Sequence, residues 1–205
     1  METIKVPLLE YGYAKSALPG QGESGDLHLV RCTQTGILIA AIDGLGHGDL
    51  AADAARLAVS VLGSGADGPV ILLVERCHEK LRGTRGVVLS LAAIEPDQGM
   101  MTWLGVGNVQ GVLMRANCAK GPRQETLLLR GGVVGSQLPS LQATVLPIAR
   151  GDTLYFATDG VKSEFAENLA TLENPQRAAD RILEQFQSGS DDALVLVARL
   201  TGVRP

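Results

Sequence analysis

The stretch Ile37–Gly48, ILIAAIDGLGHG in one-letter code, decides how this chain is interpreted. It begins with six apolar residues in a row, which is typical of a strand buried on both faces. The run ends at Asp43, where the strand leaves the core, and glycines alternate with other residues after it. Glycine lets the backbone turn sharply and come close to a bound group. The stretch therefore predicts a buried strand that carries a carboxylate to a tight glycine-rich loop.

Two later segments have related patterns. The segment Thr153–Gly160, TLYFATDG, is an apolar strand pattern that ends at Asp159. The pair Asp191-Asp192 stands directly before the apolar run Ala193–Ala198. The sequence thus predicts three strand ends that each carry an acidic residue, which is what a divalent-metal site built from carboxylate oxygens needs.

A fourth acidic residue opens the strand that precedes the decisive stretch. Asp26 comes directly before Leu27–Cys32, which alternates apolar and polar residues and predicts a half-buried strand. A turn then leads into the strand that ends at Asp43. Because the two ends lie side by side in an antiparallel hairpin, we expect Asp26 beside Asp43.

Composition limits the classes of function. The chain has 205 residues, which suits a single domain over residues 1–205 with an aliphatic core, since hydrophobic residues make up 45 % and aromatic residues only 3 %. A net charge of −4 argues against nucleic-acid binding. Three widely spaced cysteines (Cys32, Cys77 and Cys118) argue against disulfides and zinc. No signal peptide and no membrane span is predicted, so we expect a cytoplasmic protein. We also expect it to be a monomer.

The remaining pattern predicts an α+β fold with antiparallel pairing. Helices are predicted over residues 49–62 with Gly63 as the stop, from Pro69 to about residue 82, and over 175–186. Residues 11–25 are predicted to be a loop and residues 117–123 a hairpin loop. Predicted strands include 87–94, 100–106, 109–115, 126–130 and 143–148, with Pro147 indicating an edge. Strands that are apolar on both faces must be covered twice, so we infer four layers: helices, sheet, sheet, helices.

The acidic strand ends suggest a particular chemistry. Two divalent cations about 4 Å apart can hold and activate a water molecule between them. Asp43 is the predicted bridging ligand, with the Gly44 carbonyl as a second oxygen ligand. Asp159 and Asp191 would complete the shell of one ion, and Asp26 would anchor the other directly or through water. Oxygen ligands favour Mg²⁺ or Mn²⁺ over zinc, and the predicted reaction is direct attack of hydroxide on phosphorus.

Two other segments have some of the residues of a binding element. The segment Gly105–Asn108 superficially resembles a dinucleotide-binding loop, but the third glycine is missing and no helix follows, which favours a strand bulge or a close backbone approach. Arg85 lies between two glycines and is a candidate to meet a phosphate, although the pattern favours a solvated turn.

The acidic strand ends, together with the segment Gly105–Asn108, resemble the metal-dependent protein serine/threonine phosphatases of type 2C. They occur in the order of that family and span most of the chain. The form Asp-Gly-Leu-Gly-His-Gly and the short length are most similar to the bacterial branch that includes SpoIIE and RsbU, and within it to the free-standing stressosome phosphatases. The matching pieces are Gly25-Asp26, Asp43–Gly48, Gly105–Asn108, Gly151-Asp152 with Ala157–Gly160, and Asp191-Asp192.

The resemblance implies a β-sandwich flanked by helices and two Mn²⁺ or Mg²⁺ ions. It implies that Asp43 bridges the ions, that Gly44, Asp159 and Asp191 are further ligands, and that Asp26 lies nearby; a slip of one residue would exchange Asp191 for Asp192. The implied substrates are phosphoserine or phosphothreonine on stressosome scaffold proteins with STAS domains, whose dephosphorylation would reset a stress signal. Leu45 stands where the eukaryotic enzymes have a histidine, so the resemblance assigns no general acid.

Two alternative functions remain open from the sequence. One is a catalytically inactive docking module on the phosphatase fold, against which the intact set of clustered carboxylates argues, because their mutual repulsion would destabilise such a module. The other is a metal-dependent hydrolase of a small phosphate ester.

Overall fold

The computed structural model describes residues 4–6, 8–20, 22–117, 122–169 and 173–202. In this part of the chain the strands are β1 (Ile4–Val6), β2 (Leu9–Ser16), β3 (Asp26–Cys32), β4 (Ile37–Gly44), β5 (Val87–Glu95), β6 (Met100–Val106), β7 (Gln110–Met114), β8 (Gln124–Thr126), β9 (Thr144–Pro147), β10 (Thr153–Ala157) and β11 (Ala193–Leu200). They form two antiparallel sheets. The first sheet has the order β1-β2-β11-β10-β7-β8, and the second has the order β3-β4-β5-β6-β9.

Helices cover the outer face of each sheet. The helices α1 (Asp49–Ser64) and α2 (Val70–Leu81) pack on the second sheet, whereas α3 (Pro175–Phe186) and a 3-10 helix (Ser163–Asn168) pack on the first. A third apolar cluster fills the space between the sheets. The predicted four-layer α+β sandwich is therefore confirmed.

Strand β4 shows why six consecutive apolar residues were needed. Leu38, Ala40 and Ile42 face the helices α1 and α2. Ile37, Ile39 and Ala41 alternate with them and face the other sheet. All six are buried, and each large side chain contributes roughly 1.5–3 kcal/mol through burial. The strand is thereby fixed in register, and so is the position of Asp43 at its end.

The loop predicted over residues 11–25 is wrong in its first part, because residues 9–16 form β2. This strand pairs with both β1 and β11. Gly12 favours a loop in the sequence pattern, but in the structure it allows α3 to pack closely against β2. A Cβ on Gly12 would lie 2.3 Å from the Cα of Gln176 and 2.8 Å from the carbonyl carbon of Pro175. The glycine therefore makes room for a helix, a cause that is invisible in a local pattern.

Three smaller predictions can also be compared with the fold. Helix α1 continues past Gly63 to Ser64, since one helical glycine costs only about 1 kcal/mol and the preceding residues Val61 and Leu62 are buried in the core. The strand predicted over residues 126–130 ends at Thr126, because the chain there leaves β7 and reaches the other sheet, where the Arg130 N–H bonds to the Gly105 carbonyl. Pro147 lies on the outermost strand β9, as predicted.

Further predictions concern the cysteines, one loop and membrane crossing. Among the described residues Cys32 and Cys77 are free thiols. Cys118 and most of the loop predicted over residues 117–123 lie outside the described residues. In the described ranges, none of the helices has the length and apolar character needed to cross a membrane.

Candidate metal centre

An open cavity of about 430 Å³ lies where the ends of both sheets meet. Three carboxylates from separate parts of the chain line it: Asp43 at the end of β4, Asp159 after β10 and Asp191 before β11. The other lining residues are Leu45, Gly46, Val88, Gly107, Asn108 and the segment Gly131–Val133. The fold therefore brings together three of the acidic residues singled out from the sequence.

Asp26 lies directly beside Asp43. The two residues are register partners in the antiparallel pair β3–β4, as the hairpin pattern predicted. Asp26 is only 1 % exposed and does not line the cavity. Its position is that of a buried carboxylate next to the cavity.

Thr158 holds the Asp26 carboxylate. Its hydroxyl donates a hydrogen bond to Asp26 Oδ2 at 2.7 Å and accepts one from the backbone N–H of Leu194 at 2.8 Å. Thr158 belongs to the Thr-Asp-Gly segment quoted from the sequence, but sequence reasoning gave it no role. Its place one residue before Asp159 was the available signal.

Asn108 holds Asp159. The amide Nδ2 of Asn108 donates to Asp159 Oδ2 at 2.7 Å, and both side chains are exposed on the cavity side. Asn108 follows β6, in the segment that the sequence analysis interpreted as a strand bulge or a close backbone approach and matched to the family, without a role for its side chain. The contact leaves the other oxygen of Asp159, Oδ1, available for a ligand.

Asp191 and Asp192 have different surroundings. Asp192 is 3 % exposed, and its two oxygens accept hydrogen bonds from the backbone N–H groups of Leu18 (2.7 Å) and Gly25 (2.6 Å). Asp191 is half-buried and lines the cavity. Asp192 thus has a structural task, and Asp191 is the residue with access to a ligand.

The glycines at the end of β4 and in the loop after it have two distinct roles. Gly46 and Gly48 adopt positive φ angles of 82° and 76°, which suit glycine. Gly44 stays in β4 and lies against α1, where an added Cβ would be 2.1 Å from the Ala51 carbonyl oxygen. The Gly44 carbonyl oxygen lies near Gly25, and Gly44 does not line the cavity. Its role as an oxygen ligand remains a prediction.

The carboxylates crowd one another electrostatically. Burial, followed by the charges of Asp26 and Asp159, raises the pKa of Asp43 to about 9. Burial also raises the pKa of Asp26 to about 7, against the hydrogen bond from Thr158, which lowers it. At neutral pH such a group of carboxylates is stable in the fully ionised form only with nearby positive charge.

Comparison with known proteins assigns the family. The family model described as stage II sporulation protein E (SpoIIE) matches residues 33–201 of this chain. The chain belongs to the SpoIIE family. This SpoIIE-family chain is also 29 % identical over 185 residues to the phosphoserine phosphatase RsbX of Bacillus subtilis (strain 168), a match that covers 89 % of this chain and 90 % of RsbX.

Two solved structures resemble the SpoIIE-family chain closely. One is described as the bacterial stressosome, a modular system that has been adapted to control secondary messenger signalling. Its TM-score is 0.85 at 30 % identity, and the match covers 93 % of this chain and 99 % of the stressosome chain. The other is RsbX in complex with magnesium, with a TM-score of 0.85 at 19 % identity, covering 98 % and 99 % of the two chains. Family and relatives together assign the chain to the hydrolases that act as protein serine/threonine phosphatases.

The donor set of this SpoIIE-family chain fits hard divalent cations. The side-chain ligands that the cavity offers are carboxylate oxygens, and crowding of like charges favours a cation among them. Within the described residues, no three His, Cys, Asp or Glu side chains are grouped closely enough to hold an ion as they stand. Few side chains would then contact each ion directly, which suits an ion such as Mg²⁺ that keeps several water molecules as ligands. Leu45 and Val88 form an apolar part of the cavity wall.

Proposed function

We propose that residues 1–205 form one metal-dependent protein serine/threonine phosphatase domain that acts on phosphorylated stressosome-type STAS-domain proteins and so resets a stress signal. The observation that carries the proposal is the convergence of Asp43, Asp159 and Asp191 on one cavity from three separate elements. Similarity to the phosphoserine phosphatase RsbX and to the stressosome structure supports the substrate class.

The cavity residues would hold Mn²⁺ or Mg²⁺, and we propose two ions. Asp43, Asp159 and Asp191 would supply the carboxylate oxygens in the cavity. Gly44 and Asp26, which lie next to Asp43 but do not line the cavity, would contribute further oxygens directly or through water. When bound, the ions would supply positive charge that lowers the pKa of a water molecule and neutralises the incoming phosphate. The magnesium complex of RsbX supports this choice of metal.

The protein's own groups favour direct attack by water. Among the described residues that line the cavity, no Ser, Thr, Cys or His side chain is present to form a covalent intermediate, and the three carboxylates would be engaged as metal ligands. Asn108 fixes the orientation of Asp159, while Thr158 fixes that of Asp26 beside Asp43. The raised pKa of Asp43 makes its proton the one that must leave before a cation binds fully.

We propose that the partners are phosphorylated stressosome-type proteins, which the similarity to RsbX and to the stressosome structure supports. We also propose that the protein is a cytoplasmic monomer. The substrates are phosphoserine or phosphothreonine side chains on folded scaffold proteins, which an open cavity admits more easily than an enclosed one does.

The decisive test is hydrolysis of p-nitrophenyl phosphate with and without Mn²⁺. Activity should disappear with chelator and return with Mn²⁺. Asp43→Asn should reduce the rate by roughly a thousandfold or more, because a ligand of the reacting centre is lost. Asp97→Asn is a matched control, since Asp97 is exposed in the turn between β5 and β6. A folded Asp43→Asn protein with full activity would exclude the mechanism.

A second assay identifies the substrate class. Phosphorylated STAS-domain protein should be dephosphorylated faster, per mole of enzyme at equal concentration, than small phosphate esters. Faster turnover of the small esters would favour an esterase of small molecules. Absence of any turnover in the presence of Mn²⁺ would favour an inactive docking module.

A further inference from the structure

Arg85 lies in the turn between α2 and β5, against the glycine-rich loop of the cavity. The backbone N–H of Leu45 donates to the Gly86 carbonyl at 3.1 Å, which ties the two loops together. The Arg85 Nη1 lies 2.5 Å from the point that a Cβ on Gly46 would occupy. Gly46 lines the carboxylate cavity, so the guanidinium group stands at its rim.

The Arg85 side chain is exposed. In the described part of the chain, no hydrogen bond or ion pair holds its side chain. Arg82, on the same turn, differs in this respect because its guanidinium forms an ion pair of 3.2 Å with Glu79. The donors of Arg85 are therefore available to a ligand at the rim.

The described residues that line the cavity offer no such group. A phosphate that enters meets Asp43, Asp159 and Asp191, and none of the described lining residues is Lys or Arg. Arg85 also borders a second cleft of about 420 Å³, on the side of Leu50 and Asp53. Arg85 therefore lies between the two spaces.

We propose that Arg85 binds the phosphate group of the substrate at the rim of the cavity. The proposal rests on the proposed phosphatase function. The planar guanidinium presents a fork of N–H donors that matches two phosphate oxygens, and such charge-assisted hydrogen bonds are stronger than neutral ones. Arg85 would hold the substrate in place and offset the negative field of the carboxylates, while the absence of a side chain on Gly46 leaves it room.

The test compares Arg85→Ala with Arg82→Ala, an exposed arginine of the same turn. Binding of inorganic phosphate is measured by calorimetry in the presence of Mn²⁺, and KM and kcat are measured on a phosphoserine peptide. For Arg85→Ala the Kd for phosphate and the KM should both rise about ten- to a hundredfold, with a smaller change in kcat. Arg82→Ala should match the wild type. Arg85→Lys should fall between, because it keeps the charge and loses the fork.

The outcomes separate this proposal from the phosphatase function. Equal phosphate affinity in the wild type and Arg85→Ala would overturn it, even if the KM for the peptide rose, because Arg85 would then contact only the peptide. A wild type that binds phosphate through Arg85 yet hydrolyses nothing would uphold the role of Arg85 and overturn the phosphatase function. Circular dichroism and Mn²⁺ titration of each variant verify that the fold and the metal affinity are retained.

Discussion

The hydroxyl of Thr158 and the carboxylate of Asp26 form a hydrogen bond of 2.7 Å that joins the two sheets. Thr158 follows β10 of the first sheet, and Asp26 begins β3 of the second. Each is next to a cavity carboxylate, since Thr158 precedes Asp159 in the chain and Asp26 pairs with Asp43. One contact therefore fixes the relative position of two candidate ligands from different sheets.

Removing this contact should destabilise the fold. Thr158→Val keeps the shape but deletes the donor to Asp26 and the acceptor of the Leu194 N–H, and both partners are buried. We expect a loss of about 1–3 kcal/mol in the free energy of unfolding, measured by urea denaturation. Thr126→Val, at an exposed position on β8, is the control. An unchanged urea midpoint for Thr158→Val would contradict the structural role of this bond.

The metal-free protein should lose stability between pH 7 and 9. The folded-state pKa of Asp43 is about 9, against an ordinary value of 3.8, so the folded state retains a proton that the unfolded state has released. The contribution of Asp43 to the free energy of unfolding is fully present below pH 3.8, and it is lost as the pH rises through 9. His28 does not interfere in this window, because burial lowers its pKa to about 4 from 6.5.

Thermal unfolding with chelator checks this pH dependence. The midpoint should fall from pH 7 to pH 9 in the wild type and change less in Asp43→Asn, which cannot ionise. Added Mn²⁺ or Mg²⁺ should raise the wild-type midpoint more at pH 9 than at pH 7, since deprotonated carboxylates bind the ion. A flat wild-type profile over this window would show that Asp43 does not carry the expected proton.

Substitution by Asn should lower the stability of the fold at Asp192 and the affinity for Mn²⁺ at Asp191. Asp192→Asn replaces a buried acceptor of two backbone N–H groups and should cost about 1.5–3 kcal/mol of stability. Asp191→Asn should leave the urea midpoint nearly unchanged and weaken Mn²⁺ binding, because Asp191 faces the cavity. Urea denaturation and Mn²⁺ titration of both variants measure the contrast. The reverse pattern would make Asp192 the ligand.

Loss of Asn108 should affect catalysis more than stability. Asn108→Ala releases Asp159 Oδ2 from its hydrogen bond at an exposed site. Groups that orient a metal ligand typically contribute ten- to a hundredfold to metal affinity or activity, so we expect at least about a tenfold lower rate with p-nitrophenyl phosphate. Asn168→Ala, an exposed asparagine on the 3-10 helix, should retain full rate. If both variants hydrolysed p-nitrophenyl phosphate at equal rates, Asn108 would have no role in the reaction.

Much of the fold was predictable because its elements have clear local signals. The doubly buried strand β4 and the helix α3, with Pro175 at its start, lie where the pattern placed them. Strand β2 was missed because its glycine serves a contact with α3, more than 160 residues away in the chain. A local pattern does not contain such a contact.

The site was predictable in its carboxylates but not in the groups that hold them. Asp43 and Asp159 follow apolar runs, and this signal is local. Asp191 and Asp192 are indistinguishable by sequence, since only the folded neighbours Leu18 and Gly25 separate them. Arg85 looked like part of a solvated turn because its proximity to Gly46 depends on how two loops pack.

The interior position of β11 has a consequence for biosynthesis. This strand bonds to β2 on one edge and to β10 on the other. Translation delivers it after every other strand of the sheet, so a nascent chain that still lacks it has a gap between two unsatisfied edges. Ribosome-bound intermediates should therefore carry an incomplete, chaperone-dependent sheet, and enzymatic competence should arise only once residues 193–200 have emerged from the exit tunnel.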